Sequence, residues 1–117
     1  MENVLAMYIR RGSIPAGDVV LERNGIRFTW DRGKAESNLR KHRVSFETAC
    51  EVFFDPLIRL YRSEMLDGEE REMAIGLTED WRLLAVVYTF RTEAIRIISA
   101  RPATSAERSF YEDSTAP

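Results

Sequence analysis

His42 is the only histidine of the chain, and it directly follows Lys41. Histidine is the side chain whose ordinary pKa allows proton transfer near neutral pH. Lysine and arginine supply fixed positive charge, arginine in a planar fork that fits a phosphate. With Arg91, Arg96 and Arg101, these residues could support metal-free phosphoryl chemistry on RNA. Attack of a 2′-hydroxyl on the adjacent phosphorus needs a base, cations around the phosphorane, and an acid for the leaving oxygen. The competing reading is a structural histidine with arginines scattered over the surface, and the residues alone leave both open. Strand alternation would set Arg101 on the face of Ile95, Ile97 and Ser99, and Arg96 on the other. Those two arginines would then need a bend or an edge position to reach one pocket.

Other chemistries find little support. One cysteine and one histidine allow neither an internal disulfide nor a conventional zinc site. Cys50 lies in an apolar helical stripe, where a free cysteine behaves as a small buried hydrophobe. No Gly-rich phosphate loop occurs, and no serine stands in a nucleophile elbow. Glu64, Asp67, Glu69, Glu70 and Glu72 could surround a divalent cation, but their spacing matches no Ca²⁺ loop. A solvated acidic loop or partner surface is the simpler reading, so no metal and no cofactor is expected. The net charge of −2 and the lack of a helix-turn-helix pattern disfavour a DNA-binding module. No apolar run reaches membrane-span length and no signal peptide is visible, so cytoplasmic residence is expected, with no membrane partner.

These residues need elements to hold them. At 117 residues the chain suits one core. Asn24-Gly25 between β-prone runs predicts a two-residue hairpin turn joining strands near 19–23 and 26–30. Asp31 can cap a polar helix running to about His42. Lys34, Asn38, Lys41 and His42 would share one face of it, polar where a packing helix is apolar. Ser45 caps a second helix whose Phe46, Ala49, Cys50 and Phe53 make a core stripe, and Asp55-Pro56 stops it. Residues 57–61 read as a short strand, and Ser63 to Glu70 as an acidic connection turning at Asp67-Gly68. Residues 71–78, 82–90 and 94–101 read as three more strands, the middle one apolar enough to be covered on both faces. Thr104-Ser-Ala-Glu107 is a capping box opening a last helix to about Tyr111. The class is α+β. An antiparallel sheet, a meander of about four strands plus an N-terminal strand or hairpin, carries two N-terminal helices and one C-terminal helix on one side. Arg10 to Gly17 is a run of breakers, and Ser114 to Pro117 should fray.

The blocks Phe28-Thr-Trp-Asp31, Lys41-His42, Val44-Ser-Phe-Glu47, Glu70-Arg71 and Arg96-Ile-Ile-Ser-Ala-Arg101 carry a resemblance. Over roughly residues 26–113 the chain resembles the BrnT family, the ribonuclease toxins of type II toxin–antitoxin pairs. The resemblance implies a compact RelE-like fold, RNA cleavage that arrests growth, and neutralisation by a BrnA-type antitoxin. The antitoxin would carry the DNA-binding domain, so operator DNA is met only through it. Matching positions point to Lys41, His42, Arg71, Thr89, Arg91, Arg96 and Arg101. The roles expected are His42 as general base or acid, Lys41 with Arg91 as phosphate ligands, and Arg101 as transition-state stabiliser. Thr89 would orient a neighbour, and Arg71 and Arg96 would bind or support the RNA. Residues 1–25 form an extension ahead of this domain, and 114–117 a tail. The extension either adds the strand at 19–23 or reflects a start downstream of Met1. A strand paired at an edge would cover surface that a partner could use. The alternative is a catalytically inactive partner-binding domain, against which the intact Lys-His and Arg-rich blocks argue.

Overall fold

Asn24 and Gly25 both take positive φ, 50° and 82°, the combination a two-residue hairpin turn of the primed type requires. They join β1 (Asp18–Arg23) to β2 (Ile26–Asp31). The chain is described here by a computed structural model covering residues 17–113. Most of the breaker run from Arg10 and the C-terminal tail lie outside the described residues. After β2 come α1 (Arg32–His42), α2 (Phe46–Ala49) and a 3₁₀ turn (Cys50–Phe54). Four strands follow, β3 (Arg59–Leu66), β4 (Glu69–Leu77), β5 (Leu83–Arg91) and β6 (Ala94–Pro102), then α3 (Ser105–Asp113).

The caps sit where their residues predict. Asp31 accepts from the Lys34 amide at 2.9 Å, and Ser45 accepts from that of Thr48 at 3.1 Å. Thr104 and Glu107 exchange the two bonds of a capping box, at 3.2 and 2.8 Å.

The six strands form one sheet in the order β1-β2-β6-β5-β4-β3. Two corrections follow. The sheet is mixed rather than antiparallel throughout, because β2 pairs with β6 in parallel, Phe28 opposite Ile95 and Thr29 opposite Arg96. The antiparallel run β3-β4-β5-β6 crosses the sheet and brings its last strand beside β2, running the same way. Helices also cover both faces, not one. The larger core joins Phe28, Trp30, Leu84, Val86, Tyr88 and Ile97 to Val44, Phe46, Cys50 and Val52 on one face. On the other, α3 lays Tyr111 over Met73, Ile75, Leu83 and Ala85. β5 therefore is buried from both sides along Leu83–Val86, as its apolar run demands.

Two boundaries also move. The second helix is a single α turn followed by a 3₁₀ turn, which passes so close to β4 that a Cβ on Gly76 would lie 2.9 Å from that of Val52. β3 extends through residues read as an acidic connection, since Glu64 pairs with Arg71 and Leu66 with Glu69. Asp67 and Gly68, at φ 52° and 76°, make the tight turn between them. β1 lies at the sheet edge beyond β2, where the extension was expected to add a strand.

Candidate active site

The face that α3 leaves partly open is where the arginines gather, and a bulge is the reason. Between Val87 and Tyr88 the β5–β6 register shifts: Val87 faces Ser99 but Tyr88 faces Ile97. Ile98 is the extra residue. A bulge resets which side the following residues take. Ile97 and Ala100 thus both reach the larger core, while Arg96 and Arg101 come to the opposite face together. Uninterrupted alternation would have separated them, so that expectation is corrected.

The pairings make a row across the sheet. Thr89 on β5 stands opposite Arg96 on β6, and Arg96 opposite Thr29 on β2. Arg71 on β4 lies one step beyond the Glu72–Tyr88 pair, on the side of Met73 and Ile75, so it joins the row next to Thr89. Strands spaced about 4.8 Å apart put the Arg71 and Arg96 backbones about 10 Å apart. Arg91 follows two residues along β5 on the same side. Arg101 faces Ala85, four residues back from Thr89 and so about 13 Å along the strand. The surface holds Arg71, Arg91 and Arg96 at one end and Arg101 at the other.

Each of these cations has a different tie. Arg96 is gripped bidentately by Asp18, at 2.8 and 3.1 Å. Arg101 is gripped likewise by the buried Glu107, at 2.7 and 2.8 Å. The hydrogen-bonded Arg101 guanidinium holds the Glu107 carboxyl below its ordinary range, and Glu107 in turn raises Arg101. Arg91 reaches Glu69 at 3.1 Å across a more exposed pair. Arg71 differs: among the described residues it has no ion pair, and its buried Nε has no hydrogen-bond partner. Thr89 is 1% exposed and its hydroxyl donates to the Glu70 carbonyl at 2.7 Å. It fastens β5 to β4 beside Arg71, a supporting position.

Lys41 and His42 stand apart from this set. They occupy the last turn of α1, which packs on the other face of the sheet. No hydrogen bond or ion pair between them and these arginines occurs among the described residues. The polar face of α1 has another explanation too. Asn38 is buried, donates to the Val44 and Ala100 carbonyls at 3.0 and 2.8 Å, and accepts from the Ala100 amide at 3.2 Å. Its amide satisfies the backbone at the end of α1 and on β6, which is the packing work an apolar residue could not do.

Burial acts on a thiol and a phenol of the core. It pushes the Cys50 thiol up to about 12, so Cys50 is an inert part of the core. Burial and then Glu72 raise the Tyr88 phenol to about 12. Among the described residues no three His, Cys, Asp or Glu side chains group to hold a metal ion, and no helix is long and apolar enough to cross a membrane. The acidic run 64–72 lies along the β3–β4 hairpin instead.

Sequence reasoning missed Asp18, Glu69 and Glu107 as anchors of the cations. It also missed Arg27, which lies on the same face by alternation from Phe28 and pairs with Glu93 at 3.6 Å. The doubled Ile97-Ile98 was the available sign of the bulge.

A family model described as "Ribonuclease toxin, BrnT, of type II toxin-antitoxin system" matches residues 30–107. Among solved structures, the chain is similar to the crystal structure of the Brucella abortus ribonuclease toxin, BrnT. The match has 26% identity and a TM-score of 0.44, and covers 65% of this chain and 94% of that one. No curated protein matches. Asp18 and the whole of β1 lie ahead of the matched segment.

Proposed function

The chain belongs to the BrnT family of ribonuclease toxins of type II toxin–antitoxin systems, and from that premise we propose a metal-independent endoribonuclease that arrests growth in the cytoplasm. A BrnA-type antitoxin would neutralise it, and operator DNA would be reached only through that partner. The fold would be of the RelE-like kind. The observation that carries the reading is Arg71, a cation with an unsatisfied buried Nε in one row with Thr89 and Arg96. On a chain of net charge −2, such a face suits a polyanion held locally.

The 2′-oxygen attacks the adjacent phosphorus and the bond to the 5′-oxygen breaks. A 2′,3′-cyclic phosphate and a free 5′-hydroxyl result, with one proton lost and one gained. Arg71, Arg91 and Arg96 bind the phosphates, with Thr89 steadying their strands. Arg101, fixed by Glu107, stabilises charge further along the chain. His42 is the residue to test first for proton transfer, and Lys41 adds charge beside it. Their place on the other face keeps His42 from a phosphate held by Arg71 and Arg96, so a catalytic His42 would require the scissile bond to lie at the α1 end of the sheet.

Cleavage of a defined RNA in EDTA, with product ends identified, tests this for wild type, Arg71→Ala and His42→Ala. Cyclic or 3′-phosphate ends, and a loss of about a hundredfold to a thousandfold in Arg71→Ala, are expected for removing a phosphate-stabilising cation. Full activity in His42→Ala would move proton transfer away from His42. One observation favours the inactive partner-binding reading: Arg96 and Arg101 are already engaged by carboxylates. A folded wild type that cleaves no RNA, alone or with ribosomes, would sink the enzyme reading and leave a partner-binding domain.

A further inference from the structure

Trp81 lies in the turn between β4 and β5 and is 81% exposed. It is an unusual residue to leave in water, and its backbone is unusual too, with φ +66°. Bulky side chains rarely adopt that region. The turn is closed by its own bonds. The Thr78 amide donates to the Arg82 carbonyl at 2.9 Å, and the Trp81 amide to the Thr78 carbonyl at 3.1 Å. The Arg82 amide donates to the Thr78 hydroxyl at 3.0 Å, and that hydroxyl donates to Asp80 at 2.5 Å. The Glu79 amide donates to Glu51 at 2.9 Å. A rigid turn thus presents an indole that no core uses.

The neighbourhood is basic. Arg82 donates across to the Arg43 carbonyl at 3.2 Å, tying the turn to the end of α1. That end brings Arg40, Lys41, His42 and Arg43. Leu39, Arg40 and Arg43 also line an open hollow of about 470 Å³. The turn carries acids as well, Glu79 and Asp80, with the Glu51 carboxylate on the Glu79 amide, so the cations lie on its α1 side. β6 ends at the same side of the sheet, with Pro102 opposite Leu84 and Arg101 opposite Ala85.

We propose that Trp81, with Arg82 and the α1 terminus, is a stacking site for a nucleobase of single-stranded RNA a few nucleotides along the strand from the phosphates held by Arg71 and Arg96. Exposed aromatic rings beside cations are how single strands are held without sequence readout. An RNA leaving the arginine face past Arg101 would meet this rim next. The site rests on the ribonuclease reading, and it gives Lys41 and His42 an RNA contact regardless of their part in proton transfer.

The chain has two tryptophans, and Trp30 is 2% exposed, so Trp81 reports solvent-side fluorescence. The probe is a 2′-O-methyl oligoribonucleotide, which lacks the nucleophile and is not cut. Titration into wild type should quench the emission and protect it from iodide. Trp81→Ala should bind about tenfold more weakly, with Trp81→Phe restoring most of the affinity. In cleavage of a long RNA, Trp81→Ala should raise KM rather than lower kcat. Wild type that cleaves RNA, with unchanged fluorescence and equal affinity in Trp81→Ala, overturns the site and leaves the ribonuclease intact. Wild type that neither binds nor cleaves RNA overturns both. RNA affinity retained in Trp81→Ala while antitoxin binding falls would reassign the indole to the protein partner and overturn the RNA site.

Discussion

At the scale of single residues, the candidate site is a set of cations distinguished by what holds them. Glu107 is 4% exposed and accepts both Arg101 bonds and the Thr104 amide. Its carboxyl is lowered from an ordinary 4.5, chiefly by the Arg101 hydrogen bonds. A group whose folded pKa is depressed stabilises the fold above its unfolded pKa, and that contribution fades as pH falls through the folded one. Glu107→Gln should therefore lose about 1–2 kcal/mol near neutrality, the range for a charged hydrogen-bonded pair partly open to water. The gap to wild type should close below pH 4.5. Urea midpoints across that range check it, and a gap independent of pH would show that the pair is not the cause. The sequence displayed the capping box at Thr104 and Glu107. It gave no sign of the Arg101 tie, which depends on the strand and helix meeting in space.

Among elements, β6 and the 3₁₀ turn explain what a local reading could and could not find. Hairpin turns, caps and apolar runs are local, and Asn24-Gly25, Asp31, Ser45 and the β5 run all appear as their residues imply. The bulge at Ile98 is a relation between two strands. Periodicity along β6 alone assigned Arg101 to the wrong side, although the adjacent isoleucines broke the alternation. Parallel pairing of β2 with β6 is likewise invisible along the chain, because sequential strands leave no mark of where a distant one docks. Gly76 is a similar case: nothing in its context announced the approach of Val52. Gly76→Ala would set a Cβ at 2.9 Å from the Val52 Cβ and 3.2 Å from the Val52 carbonyl. The 3₁₀ turn would have to shift, at about 1–3 kcal/mol as for other overpacked sites. Denaturant unfolding should show a lower midpoint with an unchanged slope, and a wild-type midpoint would mean the turn yields freely.

For the whole molecule, a net charge of −2 means that long-range attraction does not bring RNA to the surface, and affinity must come from the few guanidinium groups on one face. Cation contacts to single strands release counterions, so log affinity should fall with log salt by about 0.7 per phosphate neutralised. Engagement by Arg71 and Arg91 implies a slope of about −1.4, which a freed Arg96 would bring to about −2. Arg71 makes no ion pair among the described residues, although Glu64 stands opposite it on β3, so Arg71→Ala should remove about 0.7 of that slope. Arg96 is the opposite case, because Asp18 from the edge strand β1 occupies the fork that a phosphate would take. Asp18→Asn should free it, tightening binding at low salt and steepening the slope. The same variant should lower stability slightly, by about 1 kcal/mol, because both partners are less than a quarter exposed. Measuring affinity for the uncleavable oligonucleotide over a salt series separates the possibilities. A flat response in wild type would remove phosphate from this face. An unchanged slope in Asp18→Asn would make Arg96 a structural partner of the extension, leaving Arg71 and Arg91 to hold the RNA.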